Sequence, residues 1–331
     1  MRNLAFALCL AGLAGGAAQA ACDPGEERIR FAHVTAERGH PKGEAALLLQ
    51  QRVNTELQGR ACMEVFPRST LFNDDDVLPA MIRGEVEFAA PSLSKFEAYT
   101  TAFRVFDLPF MFEDIFAVEE FQASPEGQAL KASMSDQGLL GLAFWHNGMK
   151  QFSANRPLLR PEDAQGLTFR IQPSPVLRAQ VEALGGAGEA MPFSQVYEAL
   201  ASGRVDGQAN TWSNIYTQSF HTVQDGITET NHGVIDYLVV VSDRWWNGLE
   251  PSLRDDLAQL VLEVTHERNR FAFELGELNR RNVLFEGGTV RELTPEERAA
   301  WVAALRPVWK QFSAGIGPEL IAAAEAAEGG F

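Results

Sequence analysis

Arg170 sits in the middle of GLTFRIQPSP (residues 166–175), a short run whose alternation sends Leu167, Phe169 and Ile171 to one strand face and Thr168, Arg170 and Gln172 to the other. Two prolines close the run almost at once. A guanidinium keeps its charge when buried, and its planar fork matches a carboxylate in bidentate fashion. Such a group is satisfied either by an internal ion pair or by a guest anion, and no acidic residue shares its strand face. The guest anion is the favoured reading. Asn210, at the end of the extended segment after Val205, can donate its amide to the same anion.

Three lysines are further candidates. Lys42 falls in the first turn of a helix, GHPKGEAALLLQ, where the dipole disfavours a positive charge. Either solvent takes it up, or it and the helix N-terminus together receive an anion. Lys95 follows the polar run that opens at Ser92, and Lys150 follows a strand end in FWHNGMKQFSANRP. Tyr237, in NHGVIDYLVVVS, either closes over a small ligand or belongs to the core.

The signatures of common catalysts are missing: the chain has no G-x-S-x-G elbow, no H-E-x-x-H, no P-loop and no glycine-rich dinucleotide fingerprint. His266-Glu267 lacks the second histidine of a zinc helix, so no metal site and no cofactor are expected. Asp74-Asp75-Asp76 lacks the spaced ligands of a calcium loop and reads as a solvated helix start.

The elements that must carry these residues are legible in outline. Residues 1–20 have a basic start, an apolar run and the small-residue sequence Ala18-Gln19-Ala20, which read as a secretory signal and point to the periplasm. Its removal leaves Cys22 and Cys62, each upstream of an apolar run, as an expected disulfide in an oxidising compartment. The remaining length suits two domains, and a formal charge of -16 argues against nucleic acid or anionic lipid as partner.

Strand-like runs (Ile29–His33, Met63–Phe66, Leu140–Trp145, Leu167–Gln172, Leu238–Ser242) alternate with helical ones, which predicts α/β architecture with largely parallel sheet. VLPAMIRGEVEFAAPSLS from Val77 and VYEALASGRVDGQANTWS from Val196 share their spacing of apolar residues and glycine, as two lobes of similar plan would. Three-and-four spacing from Leu253 through Phe271, Leu275 and Leu278 predicts one helix from Pro251 to about Asn282, long enough to cross both lobes. The stripe Trp301, Leu305, Val308, Trp309 and Phe312 is expected to pack within its own chain, giving a monomer, and disorder is expected in the alanine-rich tail from Ile321.

Five stretches, RFAHVTAERGHPKG, FDLPFMF, NGMKQFSANRPLLRPEDAQGLTFRIQPSPV, FSQVYEALASGRVDGQ.N..SN and NHGVIDYLVV, occur in the order found in one family. The sequence resembles the extracytoplasmic solute-binding proteins of tripartite ATP-independent periplasmic (TRAP) transporters, C4-dicarboxylate (DctP) type, over nearly all of the mature chain. The resemblance implies a two-lobe periplasmic-binding-protein-like fold with a ligand cleft and a long helix spanning both lobes. The expected division is 22–147 plus 236–275 for lobe I and 148–235 plus 276–331 for lobe II.

It also implies a carboxylate in the cleft, anchored by Arg170 with Asn210 as partner and Lys150 as a second cationic contact. Lys42, His33, Ser92, Lys95, Asn214 and Tyr237 fall in cleft-lining segments. Many relatives carry glutamate where this chain has Ala209, which bears on ligand preference. The expected function is capture of succinate, malate or fumarate by cleft closure and delivery to membrane permease subunits. Another carboxylate (a 2-oxo, aromatic or sugar acid) is the alternative. An exported hydrolase or isomerase using His33 or His232 is the remote one, because no nucleophile–base spacing supports it.

Overall fold

The computed structural model describes residues 22–328, so the expected leader, with Cys9, lies outside the described residues. Strands β1 (Glu27–Ala32), β2 (Ala61–Phe66), β3 (Phe88–Ala89) and β4 (Leu139–Met149) enter a first sheet. The chain then crosses to a second sheet with β5 (Gln151–Ala154), β6 (Thr168–Ile171), β7 (Ala187–Ala190), β8 (Gly207–Asn210) and β9 (Gly226–Glu229). It returns to the first with β10 (Val234–Ser242) and ends its strands in the second with β11 (Val290–Glu292). The sheet orders are β2-β1-β3-β10-β4 and β11-β9-β5-β8-β6-β7.

Pairing is parallel along β2-β1-β3 and β8-β6-β7, as the alternation of elements predicts. The sheets are nevertheless mixed, not largely parallel. Where the chain changes lobe directly from strand to strand the incoming strand runs antiparallel, β10 against β3 and β4 and β5 against β8 and β9, whereas β11, which arrives after the long helix, pairs parallel with β9. A strand that arrives from the other lobe without a covering helix has no crossover to bring it round parallel.

The two similar stretches form matched units. Helix Val77–Ile82 is followed by Gly84 at φ +79° and helix Val196–Ala201 by Gly203 at φ +72°, a left-handed conformation that glycine adopts without penalty. Each glycine turns the chain into a central strand, β3 or β8, and each strand end delivers a polar loop. Cys22 and Cys62 are disulfide-bonded with Cα atoms 5.5 Å apart, which staples the N-terminal extension to β2.

The long helix runs from Pro251 to Phe285, 35 residues, and is capped by Glu250. Leu253, Leu257, Leu260 and Val264 enter the first lobe's core and Val283 enters the second's. Between them the helix bridges the lobes, and Phe271 and Leu278, expected on the buried stripe, are exposed because no core lies beneath the bridge.

After helix Pro295–Leu305, whose Trp301 and Leu305 fill the second lobe's core, the chain crosses back once more. Val308, Trp309, Ile316, Ile321 and Ala324 pack in the first lobe's core, so the C-terminal segment assigned by expectation to lobe II is shared between the lobes. The described part of the alanine-rich tail is ordered too. Pro318–Ala326 is a helix held by the apolar face of Ile321 and Ala324. No described helix is long and apolar enough to cross a membrane.

Candidate ligand-binding cleft

A small cavity lies between the lobes, and the two matched strand ends contribute Ser92, Asn210 and Asn214 to its lining. Ser92 and Lys42 reach it from the first lobe, Arg170, Asn210 and Asn214 from the second, and Tyr237 from β10. The apolar side of β6, Phe169 and Ile171, sits in the second core, so its opposite side turns Arg170 and Gln172 into the cleft. Six of the nine residues expected at the site are thus brought together here. The other three are elsewhere.

Arg170 is buried and donates to the Met191 carbonyl from Nε (3.2 Å) and Nη2 (2.9 Å). Among the described residues no carboxylate forms an ion pair with it. Burial lowers its pKa, and the charges of Asp74 and Asp75 oppose that shift. Lys42 is only 1 % exposed, which removes the reading that solvent takes it up. Its Nζ lies 3.0 Å from the Ala90 carbonyl and 3.7 Å over the Tyr237 ring. With no carboxylate at contact among the described residues, burial pushes its ammonium down to about 7 against the opposing charge of Asp74.

Lys95 and Lys150 are of a different kind. Lys95 forms ion pairs with Asp74 (3.1 Å) and Asp75 (2.6 Å). The acidic triplet does stand at the start of helix Val77–Ile82 with Asp75 and Asp76 exposed, but Asp74 is only 6 % exposed and accepts from the Phe193 N–H, so one of the three is not solvated. Burial works against the Asp74 charge, but Lys95, Arg170 and that N–H together hold its pKa below the usual range. Lys150 stands at the crossing from β4 to β5, with its Nζ 3.8 Å from Asp107. It lines a separate space behind Arg170, together with Ala209 and His232. His33 lies buried behind the cleft, hydrogen-bonded to Thr35 at 3.1 Å, and burial followed by the charge of Lys42 keeps it neutral.

Residues that sequence reasoning did not place in the site also contribute to it. Asp74 and Phe193 line the cavity. Gln172 also lines it and donates to Ser92 across the lobes, and its position two residues from Arg170 on the same strand face was a usable signal. His40 caps the helix Pro41–Glu56: its Nδ1 accepts from the Lys42 N–H at 3.1 Å, while Nε2 lies 2.8 Å from Asn214 Oδ1. Tyr237 receives the Asn147 amide on its hydroxyl at 2.8 Å, and burial raises its pKa, so it remains a neutral phenol. The cleft therefore offers two cations and several neutral donors to an anionic guest, with no nucleophile and base at hydrogen-bond spacing among the cavity's residues.

Residues 31–315 match the model of bacterial extracellular solute-binding proteins, family 7. The chain belongs to this family. It is 56% identical over 310 residues to the C4-dicarboxylate-binding periplasmic protein DctP of Vibrio cholerae, covering 94% of this chain and 93% of that protein. It is 41% identical over 302 residues to the protein of the same name from Rhodobacter capsulatus, covering 90% of each. Among solved structures, a TRAP periplasmic solute-binding protein from Shewanella oneidensis with bound succinate superposes with a TM-score of 0.90 at 45% identity, over 91% of this chain and 99% of that one. A relative from Pseudomonas aeruginosa with bound L-malate gives 0.84 at 43% identity, over 86% and 99%. The two-sheet, two-lobe architecture is that of this family, and the relatives are solute-binding proteins.

Proposed function

We propose that the protein is exported by its N-terminal signal, captures a C4-dicarboxylate of the size of succinate or malate as a monomeric binding protein rather than an enzyme, and delivers it to TRAP membrane permease subunits. The observation that carries this reading is the pair Arg170 and Lys42, two buried cations on opposite lobes that face one small cavity and, among the described residues, have no carboxylate at contact. One carboxylate of the guest meets the Arg170 fork and the Asn210 amide. The other meets Lys42, which takes the place expected for Lys150, because Lys150 lines a different space and has Asp107 beside it.

The charge pattern also supplies the reason to close. A dicarboxylate reaches Arg170 from one lobe and Lys42 from the other only when the lobes meet, and a ligand drives a conformational change only through such a difference in contacts. Turning a mostly open population into a mostly closed one requires about 5.5 kcal/mol, within reach of two charge-assisted contacts. The dicarboxylate named for the similar proteins of Vibrio cholerae and Shewanella oneidensis supports the same guest.

A thermal-shift series tests the reading. Succinate, L-malate and fumarate at a hundred times their dissociation constants stabilise the fold by about 2.7 kcal/mol, which raises Tm by several degrees, while acetate at the same concentration does not. Absence of a shift with all three dicarboxylates would reject it.

A further inference from the structure

We infer that His40 is the latch of the closed cleft: its ring ties the first lobe to Asn214 of the second and sets how long a captured acid stays, an inference that rests on the reading of the cleft as a carboxylate site. His40 does not line the cavity. It is a positioning residue, working through the groups that do.

The hydrogen bonds around the ring leave one arrangement. Nδ1 accepts from the Lys42 backbone N–H, so the ring proton is on Nε2 and is donated to Asn214 Oδ1 at 2.8 Å. The Asn214 amide donates in turn to Asn210 Oδ1 at 2.6 Å, Asn210 donates to Gln208, and Gln208 donates to Ser153 Oγ at 2.8 Å. Every donor in this chain points the same way, from the first lobe into the second lobe's sheet, which is the arrangement in which neighbouring bonds polarise one another. Its third member, Asn210, is the proposed partner of the guest's carboxylate.

A protonated ring would present a second N–H to the Lys42 amide and could not accept from it. Burial, and after it the charge of Lys42, push the imidazole down to about 3, so it stays neutral. The His40–Asn214 bond joins the two lobes, and in the proposed latch it is made as they close. A contact of that kind acts on escape and leaves entry nearly unchanged.

The test separates the latch from the cap. His40→Asn retains a side-chain acceptor for the first turn of the helix but is too short to reach Asn214. Exchange of bound radiolabelled succinate against excess unlabelled succinate gives the dissociation rate, and calorimetry gives Kd. His40→Asn and Asn214→Ala each speed dissociation roughly 10–100-fold with the association rate changed by less than about 3-fold, and the double variant is no faster than the faster single. His40→Gln, which carries both an acceptor and a donor on a longer side chain, falls between His40→Asn and the wild type.

An unchanged dissociation rate in His40→Asn, a double variant equal to the product of the singles, or equal rates for the Gln and Asn variants overturns the latch. A wild type that retains no succinate overturns the carboxylate reading, and the latch with it. Unfolding of the unliganded variants within about 1 kcal/mol of wild type shows that the exchange rates report closure and not loss of fold.

Discussion

Four cations surround the cleft, and they divide into two kinds. Lys95 and Lys150 have aspartates beside them, at 3.1 and 2.6 Å for Lys95 and 3.8 Å for Lys150. Arg170 and Lys42 have only carbonyl oxygens and aromatic faces. A buried charge needs compensation, so the first pair belongs to the fold and the second pair awaits a guest. The division also protects the site. Asp74 lies near enough to bias the Arg170 charge, yet Lys95 and the Phe193 N–H hold its carboxylate. An acid that would otherwise neutralise Arg170 is kept engaged by a neighbouring lysine.

This contrast is broken most directly at Arg170. Arg170→Ala loses about 2–5 kcal/mol of dicarboxylate affinity by calorimetry, because the guest carboxylate is left buried without its fork. Unchanged affinity would remove the assignment of Arg170 to the guest.

Lys95→Met is expected to show the opposite signature. Removing one partner of a buried pair destabilises the unliganded fold by about 3 kcal/mol in urea unfolding, and affinity falls as well because Asp74 becomes free to turn toward Arg170. A variant with full stability would place Lys95 among the waiting cations.

The smallest effect, and the sharpest, is at Lys42. Lys42→Met weakens succinate binding by about 2 kcal/mol while sparing a monocarboxylate, and it raises the Tm of the unliganded protein by removing an uncompensated buried ammonium. The sign with pH follows. Lys42 titrates near 7 in the folded chain and in its ordinary range when unfolded, so above pH 7 the unfolded state binds more protons. Unliganded wild type therefore gains stability as pH rises from 7 toward 10 through this group, and Lys42→Met lacks that component. Urea titrations at pH 7 and 9 on both proteins measure the difference, and equal pH dependence would show that Lys42 is compensated after all.

Much of the frame was legible because it rests on local rules. Gly84 and Gly203 announce the matched units, the proline after Glu250 opens the long helix, and the alternation around Arg170 fixes which face meets the cleft. The partners of the cations were not legible. Asp74 and Lys95 are 21 residues apart, and Asp107 and Lys150 are 43 apart. Nothing in either segment reveals that folding pairs them, so Lys150 could not be told from Lys42 by spacing. The same limit hid His40, whose partner Asn214 lies on the other lobe. The alanine-rich tail misled for the converse reason: its composition suits disorder, but Ile321 and Ala324 find a core to which no local signal points.

The chain passes between its two bodies four times: at Lys150, between β9 and β10, along the long helix, and after Leu305. The rod alone extends about 50 Å. Four separate fastenings restrain the two bodies more than one linker would, so their closing motion is guided. A jaw so guided brings the same pair of opposing teeth together, and recognition can depend on two charges that never share a strand or a helix.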